Sequence, residues 1–207
     1  MMPSDSKQIT ILSSLYLAPV EYYSSLYRSE SVVIEINDNY QKQSYRNRCT
    51  IAGANGPLSL SIPIVKPEKS KNRMKDIRIA DHGNWQHLHW NAIISAYNST
   101  PFFQYYEDDF RPFYEKKIEY LHDLNEELRH LICHFIGIEN KISYSQTYIK
   151  QEIEGYTDLR EKIHPKKASD FKTEPYYQIF ASKHGFINNL SILDLLFNMG
   201  NEARLFL

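Results

Sequence analysis

The stretch from residue 40 to 64, YQKQSYRNRCTIAGANGPLSLSIPI, leaves its backbone few choices. It reads as a β-hairpin with arms at about 43–53 and 58–64 around Ala54-Asn55-Gly56-Pro57. Asn-Gly tolerates the positive φ that a tight hairpin turn asks for. In the second arm Leu58, Leu60, Ile62 and Ile64 alternate with Ser59, Ser61 and Pro63, which predicts one apolar and one polar face. In an extended first arm Arg46, Arg48 and Thr50 share one face, and Asn47, Cys49 and Ile51 share the other. Two guanidiniums on one strand face repel each other, so the pattern predicts a concave site with an anion between them.

The hairpin sits inside a pattern of alternating strands and helices. A tail at 1–7 is expected to be disordered, and 8–207 to form a single α/β domain, consistent with a chain of 207 residues. Lys7 and the following ITILSSLYLA mimic a short signal peptide, but the apolar run is interrupted by serines and reads better as a buried first strand, about 8–17. Pro19 opens a short helix to about Arg28, and SVVIEI at 31–36 is a second strand. This β-α-β start predicts a mixed sheet with two parallel strands. A further strand is expected at 75–80. Asn84 is expected to cap a helix from Trp85 to Tyr97. Apolar residues then recur at three-and-four spacing from Phe110 to Phe135, predicting a long helix at about 109–136. Such a helix is about 40 Å long and ends at Gly137. A strand at 141–149 and a helix at 191–199, opened by a Ser191–Asp194 capping box and closed by Gly200, complete the chain.

Charge divides the chain unevenly. Residues 40–80 hold nine basic and two acidic residues, a balance of +7, so the remainder carries −8 of the net −1. Such asymmetry concentrates anionic ligands near the basic segment. Nucleic acid is disfavoured as a partner, because the chain as a whole is near neutral and has no RNP or helix-turn-helix signature. No run of about 18 apolar residues is present, so no membrane span is expected. Two cysteines, Cys49 and Cys133, are too few for a disulfide framework, which fits a cytoplasmic protein. There is no HExxH, CxxC, Walker loop, GxGxxG or GxSxG, so the residues imply no metal and no cofactor. His130 and His134 read as a solvated helix face.

The remaining polar residues form the candidate site. Lys42, Gln43, Arg46, Asn47 and Arg48 lie in the hairpin, and Trp85 and His89 on the next helix. Arg160 and Lys166 lie in a Pro-broken loop, and Gln178, His184, Asn188 and Asn189 precede the last helix. The helix start there suits an anionic group, and a histidine such as His184 is the residue type that transfers protons near neutrality.

The hairpin segment, the Trp85-x-x-x-His89 spacing and KHGFINNLSILDLLFNMG at 183–200 together resemble the WbqC-like protein family, over about 11–207. The resemblance implies a role in bacterial surface polysaccharide assembly of the O-antigen type. Many relatives begin with His-Gln-Pro ahead of a second proline and a tyrosine. Here Ser13-Ser14-Leu15 precede Pro19 and Tyr22, and the histidine is missing. On the resemblance, the expected ligand is an anionic sugar precursor such as a nucleotide-linked sugar. Lys42, Arg46 and Arg48 would hold its phosphates, Trp85 or a tyrosine would stack on sugar or base, and His184 or His89 would carry the proton in a group transfer. Asn47, Arg160, Lys166, Gln178 and Asn189 complete the expected binding set. The rival expectation is a non-catalytic adaptor whose long helix docks a partner or a second copy in a homo-oligomer.

Overall fold

The computed structural model describes residues 9–66, 72–139, 141–150 and 155–207. The tail expected at 1–7 and the basic-loop residues Lys69 and Lys71 lie outside these. The expected α/β architecture is present. Strand β1 (Ile9–Ser13) runs into helix α1 (Val20–Arg28) and back into strand β2 (Ser31–Glu35). The two strands pair in parallel, with Ile9 opposite Ser31 and Ser13 opposite Glu35. Ile11 and Leu12 of β1 and Val32 and Ile34 of β2 are buried, as expected of β-branched and apolar strands covered on both faces.

The hairpin forms a separate two-stranded sheet from β3 (Arg48–Gly53) and β4 (Gly56–Ser61). Cys49 and Ile51 face the core as the alternation predicts, and Leu60 and Ile62 join them, while Leu58 is exposed. Only Gly56 in this turn takes a positive φ (106°), directly after the two-residue turn Ala54-Asn55.

Between 74 and 80 the expected strand is replaced by a 3-10 turn, Met74–Asp76, followed by isolated bridges at Arg78 and Ile79. Helix α2 (Trp85–Tyr97) has the predicted bounds, but Asn84 adopts a left-handed conformation (φ 47°, ψ 38°) and its side chain does not cap. The single long helix expected at 109–136 is three: α3 (Phe103–Phe110), α4 (Pro112–Glu115) and α5 (Leu121–Ile136). Pro112 has no N–H to donate and starts its own helix. From Lys116 to Tyr120 the chain then extends to pair with 77–79: Ile79 N donates to Glu119 O (2.9 Å) and Leu121 N to Ile77 O (2.9 Å). The apolar stripe of α5 is buried within the domain at Leu121, Leu124, Leu128, Ile132 and Ile136. Gly137 ends α5 in the left-handed conformation, as predicted.

Two short strands complete the parallel sheet. Strand β5 (Lys141–Tyr144) pairs with β2, and strand β6 (Tyr156–Asp158) pairs with β1, giving the order β5-β2-β1-β6. The chain builds outward from β1 through β2 to β5, then returns to the other flank of β1. The loops that leave β1 and β6 at their carboxyl ends therefore diverge, and in open parallel sheets this switch point is where ligands bind.

A one-turn helix, α6 (Ala181–His184), precedes α7 (Ile192–Met199). The start of α7 laces the hairpin to the β1–α1 loop. Ser191 N donates to Thr50 O (2.8 Å), Ile192 N to Ala18 O (2.9 Å) and Ser191 Oγ to Leu17 O (2.8 Å). Leu17 is held there at a positive φ of 41°, a strained conformation for a bulky residue. Ser191 caps α7 by accepting from Leu193 N, but Asp194 does not complete a box. Its carboxylate instead accepts from Tyr176 OH (2.8 Å) and Gln178 Nε2 (2.7 Å).

The ring of Phe197 in α7 lies within 5.5 Å, centroid to centroid, of Tyr97, Phe103 and Phe110. Behind it Gly200 turns the chain at φ 57°, and a Cβ there would lie 2.6 Å from the ring of Phe102. Gly200→Ala is therefore expected to cost about 2 kcal/mol or more from backbone strain plus overpacking. A urea-denaturation midpoint equal to that of the parent would contradict this.

Candidate functional site

Four carboxylates and two guanidiniums gather beyond the carboxyl ends of β1, β2 and β6. Arg46 is 1% exposed. Its Nη2 donates to Asp38 Oδ2 (2.5 Å) and to Ser13 Oγ (3.1 Å), and the Glu161 carboxylate lies 3.7 Å away. Asn125 of α5 donates to the Arg46 carbonyl (2.9 Å). Arg160 grips both oxygens of Asp158 (Nε–Oδ1 2.9 Å, Nη2–Oδ2 2.5 Å), donates to Ile149 O (2.8 Å) and approaches Glu35 Oε2 (3.5 Å). Its guanidinium lies 5.5 Å over the ring of Tyr148. Glu35 is fully buried and saturated. It accepts from Asn37 N (2.7 Å), Ser145 Oγ (2.6 Å) and Ile149 N (2.7 Å).

Of these groups Asp38, Arg160 and Glu161 line a hollow of about 270 Å³, together with Asn39, Gln41 and Tyr148. Every lining residue follows the carboxyl end of β2, β5 or β6. Burial raises the Asp38 pKa above the usual carboxylate value, and the Arg46 guanidinium partly offsets this. Burial would raise Asp158 too, but its contacts with Arg160 outweigh that and hold it below the usual value. Asp38 Oδ1 and Arg46 Nε are buried with no hydrogen-bond partner among the described residues. A native fold rarely strands buried polar atoms without a use for them.

The rim is basic. Lys166 Nζ donates to Gln43 Oε1, Lys167 Nζ to the Glu161 carbonyl (2.6 Å), and Gln41 Nε2 to Glu161 Oε1 (2.6 Å). Lys42 is exposed between Gln41 and Gln43, and Gln43 itself sits at φ 59°.

Among the residues singled out in the sequence, Arg46, Arg160, Lys42 and Lys166 thus come together. Arg46 and Arg48 do not form one face. Arg46 precedes β3 and is buried against Asp38, whereas Arg48 begins the strand and donates from Nε to Ser61 Oγ (3.0 Å). Asn47 extends the hairpin by donating Nδ2 to Ile62 O (2.7 Å). His184 bonds through Nε2 to Ala54 O (3.1 Å) at the hairpin turn, about 20 Å along β3 from Arg48 at the rise of an extended chain. It therefore lies away from the pocket that holds the Arg46 guanidinium. Gln178 is buried against Asp194, and Asn189 caps α1 from a distance by accepting from Glu21 N (2.9 Å). Trp85 and His89 do meet, at 5.2 Å between rings, inside the core. Tyr16 OH bonds both His89 Nδ1 (3.0 Å) and Tyr114 OH (2.9 Å), and burial pushes the His89 pKa down to about 4. The ring is therefore neutral at physiological pH.

Sequence reasoning passed over Asp38, Tyr148 and Glu161, and also His122, which packs against Ser14 Oγ (3.3 Å) at the end of β1. A larger groove of about 420 Å³ runs between the second half of α5 and β5, past His130, Cys133 and His134. Its buried ion pair, Arg129–Glu126, is closed by hydrogen bonds to Tyr144, and it lies away from the switch point. The smaller hollow is the better candidate, since it lies at the carboxyl ends of the parallel sheet and is lined by Asp38, Arg160 and Glu161.

The model of the WbqC-like protein family matches residues 14–167, which include every residue lining the hollow. The chain is also similar to the uncharacterized protein Rv1507c of Mycobacterium tuberculosis, at 24% identity over 224 residues that cover 95% of this chain and 96% of that protein. No solved structure matches it.

Removing one partner from the buried Arg46–Asp38 pair leaves the other charge stranded. Arg46→Met is expected to cost about 3–5 kcal/mol of stability, and adding Asp38→Leu to recover much of it. A single-variant loss below about 1 kcal/mol in urea denaturation would refute this.

Two buried groups set opposing pH dependences. Burial raises the Asp194 pKa to about 6, with the hydrogen bonds from Tyr176 and Gln178 opposing. Between about pH 4 and 6 the folded chain holds a proton there that the unfolded chain has released, so its contribution falls as pH rises. His89 is the reverse, unprotonated when folded and protonated when unfolded between about pH 4 and 6.5, so its contribution grows over that window. From pH 4 to 6.5, Asp194→Asn should gain about 3 kcal/mol relative to the parent, and His89→Gln should lose about 3 kcal/mol. Parallel stability–pH curves for parent and variants would contradict both assignments.

Proposed function

The chain belongs to the WbqC-like protein family, and from that premise we propose that it binds a nucleotide-linked sugar at the carboxyl ends of its parallel sheet, in bacterial surface polysaccharide assembly of the O-antigen type. The observation that carries the reading is the hollow at the switch point, floored by buried charges and rimmed by lysines. At about 270 Å³ it lies just below the usual range of ligand sites, roughly 300–1,000 Å³, and suits one sugar ring rather than a whole nucleotide sugar. The carboxylates and amides of Asp38, Asn39, Gln41 and Glu161 are the groups that hydrogen-bond sugar hydroxyls, and Tyr148 offers an apolar wall. The phosphates then lie on the rim, where Lys42, Lys166 and Lys167 are available, rather than between Arg46 and Arg48. A substrate of this kind places the work in the cytoplasm. Group transfer to the sugar remains part of the proposal, with the half-buried His122 nearer the strand ends than His184 or His89.

The adaptor reading loses its support, because the stripe of α5 lies in the core instead of on the surface. Isothermal titration against a panel of nucleotide sugars tests the proposal. Binding by at least one sugar and not by its free nucleotide is expected. Lys42→Glu and Lys166→Glu should each weaken it several-fold, on the order of the 1 kcal/mol carried by an exposed ion pair. Absence of binding across the panel, or affinity unchanged in both variants, would overturn it.

A further inference from the structure

The charge cluster that lines the hollow and lies directly behind it carries more negative than positive charge. Glu35, Asp38, Asp158 and Glu161 face Arg46 and Arg160, four carboxylates against two guanidiniums, a surplus of two negative charges. Most of this charge is already engaged. Asp158 is gripped by Arg160 through both oxygens, and Glu35 is saturated by backbone N–H, Ser145 and Arg160. What stays short of partners is specific. Asp38, 6% exposed and lining the hollow, keeps Oδ1 without a partner among the described residues. Glu161 stands beside it with its side chain 37% exposed, its Oε1 accepting from Gln41 Nε2 (2.6 Å) and lying 3.7 Å from Arg46 Nη2. Asn39 and Gln41 add amide groups to the same wall.

This set of groups discriminates among ligands. A phosphate would meet a net negative floor and an unpaired carboxylate oxygen, so it belongs on the lysine rim. A divalent cation prefers about six oxygen ligands with several anionic ones, and the floor leaves too few carboxylate oxygens unengaged to supply them. A primary ammonium carries three donors and no acceptor. It needs a small number of acceptors with surplus negative charge, which is what Asp38 Oδ1 and Glu161 offer. Resting on the nucleotide-sugar reading above, we propose that the sugar carries a free amine, held as ammonium in the hollow by Asp38 and Glu161.

The experiment compares ligands on the intact protein. The probes are UDP-glucosamine and a nucleotide sugar with a free amine at carbon 4, against UDP-glucose and UDP-N-acetylglucosamine, each measured by titration calorimetry. At least one free-amine sugar should bind tenfold or more tightly than its hydroxyl and N-acetyl counterparts. Glu161→Gln, at a partly exposed position, should shrink that advantage several-fold. Glycine alone should produce no saturable heat. Equal affinity for amine and hydroxyl sugars, or an unchanged advantage in Glu161→Gln, overturns the amine assignment and leaves the nucleotide-sugar reading standing. Saturable glycine binding reassigns the ammonium to an amino acid and overturns the sugar-amine claim. No binding by any nucleotide sugar overturns both readings together.

Discussion

The ion pair between Arg46 and Asp38 is the contact on which the organisation of this protein turns. A guanidinium at 1% exposure is tenable only with a counter-ion in reach, because stripping water from a lone charge costs several kcal/mol. Asp38 comes from the loop after β2, Ser13 from the end of β1, and Asn125 from α5, and all three bond Arg46. The pair therefore fixes the approach to the hairpin relative to the parallel sheet and to the central helix at once. Arg160 repeats the arrangement one strand away, tying the end of β6 to Glu35 and to the Ile149 carbonyl. Together the two arginines brace loops that would otherwise diverge.

How much of this was legible in the sequence follows from where periodicity applies. The β-α-β start and the buried face of the hairpin are local patterns, and both came out as expected. Pairing Arg46 with Arg48 on one face assumed that alternation extends to Arg46. The strand begins only at Arg48, so the parity argument had nothing to act on. The three-and-four spacing from Phe110 to Phe135 is equally blind to Pro112 and to the pull of 77–79 on the extended 116–120 segment. Strand β6 spans only Tyr156–Asp158, too short for alternation to register, and its partner β1 is far away in sequence. The charged residues that follow Val33-Ile34 and Thr157 were visible all the same. Position just beyond a strand end is the signal that could have singled out Asp38 and Glu161.

The same geometry accounts for the division of labour that the functional reading assigns. On that reading, a floor with surplus carboxylate and a rim with lysines would separate the two ends of a nucleotide sugar by charge. The histidines that seemed chemically apt in the sequence hold other posts. His89 is a neutral ring inside an aromatic core with Tyr16, Trp85 and Tyr114, and His184 ties α6 to the hairpin turn. Positive φ at Leu17 and Gln43 lies in the two loops that approach the arginine layer, where backbone strain is tolerated because the surroundings hold it.

The central claim is that ligand enters at the carboxyl ends of the parallel sheet. Amide hydrogen exchange with and without a saturating nucleotide sugar tests it most directly. The account predicts slowed exchange confined to the segments around 37–43, 145–150 and 158–167, where the hollow and its rim lie. Protection concentrated instead along 129–144, in the groove beside α5, or around the hairpin turn and 181–189, with the sheet ends unchanged, would contradict it.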